Sequence, residues 1–199
     1  MAVDFSSSPQ INRLVHRLIK RARASVFRMA LLSLHTGMRA GEIFSLTWAD
    51  VDLAGVLITL RDTKSNRTRH AFMTEQVRAM FQARDKQEPA ALVFPGRNGK
   101  KIVQISKTFN RAVDRVGLND GNTDPRQKVT FHTLRHTFAS WLVESGTDIY
   151  LVKELLGHSD SAQQIDTRAF CGRSEKPAAW SALAGGRMPA GGELGNVPI

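Results

Sequence analysis

The apolar residues between positions 131 and 142 repeat with the period of an α-helix. They lie three or four positions apart, so they line one face that must be buried against a core. Gly146 is the expected end of this helix, because glycine tolerates the left-handed backbone that closes many helices. His132 and Arg135, three positions apart, are expected to project together from one flank. The predicted buried face consists of Phe131, Leu134, Phe138, Trp141 and Leu142.

A second helix is predicted directly afterwards. Asp148 is its expected N-cap, and Gly157 is its expected end, which aims the next residue, His158, away from the helix axis. Tyr150 falls on its polar face and is expected to be exposed. The predicted apolar stripe consists of Ile149, Val152, Leu155 and Leu156.

The remaining elements are predicted by the same local signals. A long helix begins at Ser8 and Pro9, runs past Val26 with a break near Ser25, and ends at Gly37. The predicted elements that follow are a short helix over 40–47, strands over 56–60 and 69–73, a helix from Thr74 and a helix over 105–116. The strands enclose the polar turn TKSNRT, so they form a β-hairpin with Lys64 near its tip. The expected fold is a mainly helical α+β domain with a small antiparallel sheet near residues 50–73.

The composition narrows the class of protein. The chain has 199 residues, enough for one domain with a substantial core, and its single cysteine, Cys171, cannot form an internal disulfide. The sequence has no apolar run of membrane-spanning length and no signal-peptide pattern at its start. We therefore expect a soluble cytoplasmic protein.

The positive charge points to a polyanionic partner. Lys and Arg number 28 against 18 Asp and Glu, which gives a net charge of +10. Arg13, Arg17 and Arg21 recur every four residues away from the apolar stripe of the first helix, and the hairpin carries a second basic cluster. Two separated basic surfaces favour binding of nucleic acid over binding of a membrane. The second cluster consists of Arg61, Lys64, Arg67 and Arg69.

His132 and His136 also allow a metal-binding interpretation. Their spacing matches a zinc-binding pair on a helix, but Thr133 stands where a zinc protease has its glutamate base. Arg135 would also place a fixed positive charge beside the metal. We predict no metal and no other cofactor.

Four segments in a fixed order carry a resemblance to a known family. TGMRAGEI, TKSNRTRHAF, HTLRHTFASWL and ELLGHSD together resemble the catalytic domain of the tyrosine recombinases, the phage integrase family, over residues 10 to 160. The resemblance implies five catalytic residues and one supporting acid, Glu42. The five implied catalytic residues are Arg39, Lys64, His132, Arg135 and His158.

The chemistry implied by the resemblance is cleavage and rejoining of DNA at specific sites through a phosphotyrosine intermediate. Arg39 and Arg135 suit the charge that builds up on the phosphate oxygens, because guanidinium is permanently charged and donates two hydrogen bonds at once. His158 would add a further hydrogen bond. Lys64 would protonate the leaving 5′ oxygen, and His132 would act as base for the nucleophile. The resemblance also implies a homo-oligomer on DNA.

The nucleophile departs from the family pattern. The family has a tyrosine shortly after the glycine-histidine turn, yet the single tyrosine of this chain, Tyr150, precedes that turn. Phe170 is the best counterpart, and phenylalanine has no hydroxyl group to attack phosphorus. The tyrosine-free segment favours an alternative function, a non-catalytic DNA-binding protein derived from a recombinase. A basic RNA-binding protein is a more distant alternative.

Both ends of the chain differ from a complete recombinase of this type. We expect a catalytic domain over 1–170 and an atypical Gly/Ala/Pro-rich tail over 171–199. A frameshifted, engineered or degenerate C-terminus would each explain the tail. Complete recombinases usually carry an additional N-terminal domain that closes a clamp around DNA, so the chain is expected to be a fragment or a truncated product.

Overall fold

The structure is a computed structural model and describes residues 24–62, 67–85, 87–125 and 128–157. In chain order the elements are helix α1 (Ala24–Thr36), helix α2 (Ala40–Ser45), a 3-10 turn (Trp48–Asp50), strands β1 (Val51–Asp52), β2 (Leu57–Asp62) and β3 (Arg67–Phe72), and helices α3 (Glu75–Gln82), α4 (Lys107–Val116), α5 (Phe131–Glu144) and α6 (Ile149–Leu156). The mainly helical α+β class predicted from the sequence is confirmed.

The three strands form one antiparallel sheet in the order β1, β2, β3. Val51 lies opposite Ile58, and Leu60 lies opposite Arg69. Partners in an antiparallel pair extend to the same face of the sheet. Arg69 is therefore on the face that also carries the buried residue Leu60.

The strand boundaries differ from the predicted 56–60 and 69–73. Val56 has φ 58°, a left-handed conformation that belongs to the turn before β2, so the strand begins one residue later. At the other end of the hairpin both strands extend further toward the turn, to Asp62 and Arg67. The predicted short helix over 40–47 also ends early, at Ser45, because Leu46 is extended and Thr47 forms a β-bridge with Leu92.

The main core lies between α1, the sheet and helices α3 and α4. Phe109 of α4 meets Phe131, the first residue of α5, edge to face, with 5.3 Å between the ring centroids. Burying a side chain of this size contributes about 1.5–3 kcal/mol of stability. The most deeply buried side chains include Leu32, Met38, Ile43, Ile58, Phe81 and Phe109.

Helices α5 and α6 form a second, smaller cluster. Phe138 and Leu142 of α5 pack against Val152 and Leu156 of α6. The predicted stripe of α5 is confirmed, because all five of its residues are buried. No helix in the described part of the chain is long and apolar enough to cross a membrane.

The ends of α5 and α6 follow the predicted caps. Gly146, just after α5, has φ 82°, and Gly157, just after α6, has φ 66°. The side chain of Asp148 accepts hydrogen bonds from the backbone N–H groups of Tyr150 and Leu151. The chain therefore leaves α6 in a tight left-handed turn.

Candidate functional site

Glu42 organises the start of helix α2. Its carboxylate accepts a hydrogen bond from the backbone N–H of Arg39 at 2.7 Å, which satisfies an N–H that the helix leaves unpaired. The same carboxylate accepts from Arg39 Nη1 at 3.1 Å. Arg39 keeps 43% of its side chain exposed. The pair therefore presents one guanidinium to solvent in a fixed orientation.

Arg135 is buried on helix α5 and donates to two backbone carbonyls. Its Nη1 bonds Gly37 O at 2.6 Å, and its Nη2 bonds Leu156 O at 2.5 Å. A hydrogen bond from a charged donor contributes about 1.5–3 kcal/mol. Arg135 thus joins the turn after α1 to the end of α6.

Arg69 reaches the same region from strand β3. Its Nη2 donates to Glu42 Oε2 at 2.7 Å, and its Nη1 donates to Leu155 O at 2.9 Å. Only 15% of its side chain is exposed. The sequence singled out Arg69 as a contact for DNA phosphates, and the structure places its guanidinium in contact with Glu42 and helix α6.

Three arginines from three different elements meet the C-terminal end of α6. Arg69 binds the carbonyl of Leu155, Arg135 that of Leu156, and Arg39 that of Gly157 at 3.0 Å. The last carbonyls of a helix have no partner within it and carry the negative end of the helix dipole, so cations are stabilised there. Three positive charges are thereby concentrated in one place.

The electrostatics of Arg135 reflect this crowding. The pKa of Arg135 is lowered to about 10. Burial is the largest cause, the positive charges of Arg39 and Arg69 act in the same direction, and the negative charge of Glu42 opposes them. Arg135 still carries its charge at neutral pH. The cluster of Arg39, Glu42, Arg69, Arg135 and the end of α6 is here called the pocket. Its concentrated positive charge and its exposed Arg39 guanidinium suit it to binding an anion.

His132 lies on the first turn of α5, ahead of Arg135. Its ring is exposed and meets the His136 ring edge to face, with 4.6 Å between the centroids. His132 and Arg135 share the helix, but Arg135 is buried where His132 is exposed. The Arg135 guanidinium reaches the end of α6, where its Nη2 donates to Leu156 O.

Several predicted residues lie outside the described part of the chain. They are Lys64, His158, Phe170, Arg13, Arg17 and Arg21, together with the side chain of Arg67. His158 directly follows Gly157, whose carbonyl binds Arg39. Among the predicted site residues, the structure brings together Arg39, Glu42, Arg69 and Arg135.

Sequence reasoning missed the carbonyl partners of these arginines and the contact between Arg69 and Glu42. One signal for Arg69 was present, because alternation along β3 puts it on the same face as Ala71, which is buried. A charged side chain on a buried face needs a partner. Which acid supplies it depends on the tertiary fold.

Two comparisons place the sequence among known proteins. The profile of the phage integrase family matches residues 5–165. The tyrosine recombinase XerA of Thermococcus onnurineus is 34% identical over 147 residues, which cover 69% of this chain and 49% of XerA. The chain thus spans about half the length of this curated relative.

Solved structures share the fold. The integrase of mycobacterium phage Brujita superposes with a TM-score of 0.64 at 26% identity, over 95% of this chain and 59% of that one. The catalytic domain of bacteriophage HP1 integrase superposes with a TM-score of 0.58 at 27% identity, over 75% of this chain and 77% of that one.

Proposed function

Because the chain belongs to the phage integrase family, we propose that it binds double-stranded DNA as the catalytic domain of a recombinase that cleaves and rejoins DNA. The observation that supports this most is the convergence of Arg39 and Arg135 on the end of α6, directly before His158. The match to the family over residues 5–165 supports a catalytic domain over 1–170 followed by a separate tail over 171–199.

In the proposed mechanism the scissile phosphate sits against the exposed side of Arg39. Arg39 uses two of its N–H groups on Glu42 and Gly157, and a guanidinium has five. Its remaining donors stabilise the negative charge that grows on the phosphate oxygens as the nucleophile attacks. Arg135 adds positive charge from its buried position on α5, which its hydrogen bonds to Gly37 O and Leu156 O fix.

The other catalytic groups are carried over from the family pattern. Lys64 protonates the 5′ oxygen as the phosphodiester bond breaks, His132 takes the proton of the attacking hydroxyl, and His158 donates a hydrogen bond to the phosphate. In a family member that has the tyrosine, the phosphotyrosine keeps the energy of the broken bond, so the 5′ hydroxyl of a second DNA strand can attack the phosphorus and release the tyrosine. The protein is proposed to act as a homo-oligomer on DNA, which sedimentation with and without DNA would test.

We further propose that this chain lacks the nucleophile, because Phe170 occupies the position of the tyrosine. Tyr150 does not replace it. The Tyr150 side chain is 69% exposed on α6, with the Lys153 ammonium 5.6 Å from the centre of its ring. A solvated phenol before the Gly157 turn is remote in sequence from the usual nucleophile segment.

Covalent trapping tests this proposal. A bound DNA site is first selected from a random library, and a nicked form of it serves as a suicide substrate. The unmodified chain is expected to form no covalent adduct, whereas Phe170→Tyr is expected to form one, and Phe170→Tyr combined with Arg39→Gln to lose it again. An adduct in the unmodified chain that disappears in Tyr150→Phe would reverse the assignment.

The alternative function is a non-catalytic DNA-binding protein derived from a recombinase. The observation in its favour is that no tyrosine follows Gly157 in the sequence. Tight binding to a selected site, with no adduct from either the unmodified chain or Phe170→Tyr, would favour this alternative.

A further inference from the structure

Arg69 and Arg39 bind the two oxygens of the same carboxylate, that of Glu42. Arg69 stands opposite Leu60 in the sheet, on a buried face, and its side chain is mostly shielded from solvent. An arginine in such a place must use its donors on the protein itself. The hydrogen bonds to Glu42 and to Leu155 O do so with two different nitrogens.

Both acceptors that orient Arg39 are next to Arg69. Glu42 Oε1 accepts from Arg39 Nη1, while Glu42 Oε2 accepts from Arg69 Nη2. The second acceptor of Arg39, Gly157 O, belongs to the turn on which Arg69 packs. Arg69 therefore binds one of the two groups that fix the exposed guanidinium, Glu42, and packs beside the residue that carries the other, Gly157.

The packing against Gly157 is close. A Cβ atom at position 157 would lie 2.7 Å from Arg69 Cδ and 2.9 Å from Arg69 Nε. Real Cβ atoms do not approach that closely, so the approach of Arg69 requires a glycine there. Arg69 therefore packs against the last described residue before His158, which the sequence predicts to be catalytic.

From these contacts we infer that Arg69 is a positioning residue, which acts through Glu42 and the end of α6 to hold Arg39 in its anion-binding orientation. The inference rests on the proposed function for the identity of the anion, a DNA phosphate. It replaces the phosphate contact that the sequence predicted for Arg69.

The variant Arg69→Lys distinguishes a positioning role of Arg69 from the effect of its positive charge alone. Arg69→Lys keeps the positive charge, but its single nitrogen cannot span the carboxylate and the carbonyl as two guanidinium nitrogens do. Arg69→Gln, which donates to one acceptor only, is a second variant in case the first is unfolded. Arg84→Lys is the matched control, because Arg84 is also half-buried and donates to a backbone carbonyl, that of Val93.

The first measurement is NMR of the arginine side chains in the 15N-labelled protein. In the unmodified chain the Arg39 guanidinium is expected to give a sharp signal, and in Arg69→Lys this signal is expected to broaden or shift while the backbone spectrum stays folded. Arg84→Lys should leave it unchanged. An Arg39 signal that is identical in the unmodified chain and both Arg69 variants would overturn the inference.

The second measurement is titration of inorganic phosphate, followed by the same signal. Arg69→Lys is expected to weaken phosphate binding roughly fivefold or more. In a protein that already carries Glu42→Gln, Arg69→Lys is expected to weaken it little further, because substitutions at two residues in direct contact are not additive. Additive effects would overturn the inference. If the unmodified chain binds no phosphate, the proposed function fails instead, and the Arg39 signal still tests the positioning role.

Discussion

The Arg135 guanidinium donates to the carbonyl oxygen of Gly37 at 2.6 Å, and this hydrogen bond joins residues 98 positions apart. The turn after α1 and helix α5 therefore hold each other in place. Because Arg135 also bonds Leu156 O, one buried side chain connects three parts of the fold that surround the pocket. The pocket and the stability of the domain depend on the same contacts.

Replacing Arg135 is expected to destabilise the protein strongly. Arg135→Ala leaves two carbonyls without their donor and opens space beside Leu156, so we expect a loss of about 3 kcal/mol in the free energy of unfolding. Urea denaturation measures it. The control is Arg61→Ala, since the Arg61 side chain is 68% exposed and its pair with Asp50 contributes about 0–1 kcal/mol. Equal losses in the two variants would contradict the bridging role of Arg135.

Adding a methyl group at Gly37 is expected to disrupt the α5–α6 contact. Gly37 has φ 66°, and a Cβ there would lie 2.6 Å from Phe138 Cδ1 and 2.7 Å from Leu156 Cδ2. Gly37→Ala should therefore lower the free energy of unfolding by about 2–4 kcal/mol. Gly41→Ala is the opposite control, because nothing lies within 4 Å of its Cβ and helix α2 gains about 0.5–1 kcal/mol. Thermal unfolding that ranks the two variants otherwise would refute this.

His35 is expected to make the domain acid-sensitive. Its ring is fully buried, its Nδ1 lies 3.2 Å from Thr74 Oγ1, and burial lowers its pKa to about 4. Below pH 6.5 the unfolded chain takes up a proton that the folded chain refuses, so stability falls until about pH 4, where both states are protonated. The full loss is roughly 3 kcal/mol.

Urea denaturation at pH 7 and pH 5 tests the role of His35. The unmodified chain should lose stability between these values, and His35→Gln should lose clearly less, whatever its stability at pH 7. A pH dependence that is the same in both proteins would show that other groups cause it.

The binding of DNA is expected to depend steeply on salt. If Arg13, Arg17 and Arg21 each contact a phosphate, replacing all three with glutamine should reduce the slope of log affinity against log salt by roughly 2–3 units. Arg84→Gln should leave the slope unchanged, because the Arg84 guanidinium lies 5.0 Å from the Trp48 ring centre and is engaged inside the protein. Fluorescence anisotropy at several salt concentrations measures both. An unchanged slope in the triple variant would remove this face from the DNA interface.

The parts of the fold that sequence predicted well are those decided by neighbours in the chain. Helix α5 has a strong apolar period, α6 has an N-cap at Asp148, and a glycine follows each helix, so local signals agree there. The predicted apolar stripe of α6 is wrong at Ile149, which is 48% exposed. The start of β2 was predicted one residue early, because the left-handed residue of the preceding turn is the β-branched Val56 and not its neighbour Gly55.

The contacts within the pocket, in contrast, could not be predicted from neighbouring residues in the chain. Resemblance indicated Arg39, Glu42 and Arg135, but no local pattern gives the partner of a guanidinium. Arg69 finds Glu42 only because the register of β2 and β3 turns it toward α2, and Arg135 finds Gly37 only after α1 and α5 pack. These contacts depend on long-range geometry, which a single sequence does not encode in any short window.

The arginine contacts at the end of α6 form only late in the synthesis of the chain. Arg39 leaves the ribosome 118 residues before its acceptor Gly157, and Arg69 precedes Leu155 by 86. Contacts of such high sequence separation form late, because a long loop must close before they contribute. A nascent chain that has emerged only as far as α5 contains all three arginines but lacks the carbonyls of Leu155, Leu156 and Gly157 to which they bind. In such a chain the three positive charges are not yet held together, so the proposed phosphate site is complete only when α6 has been added.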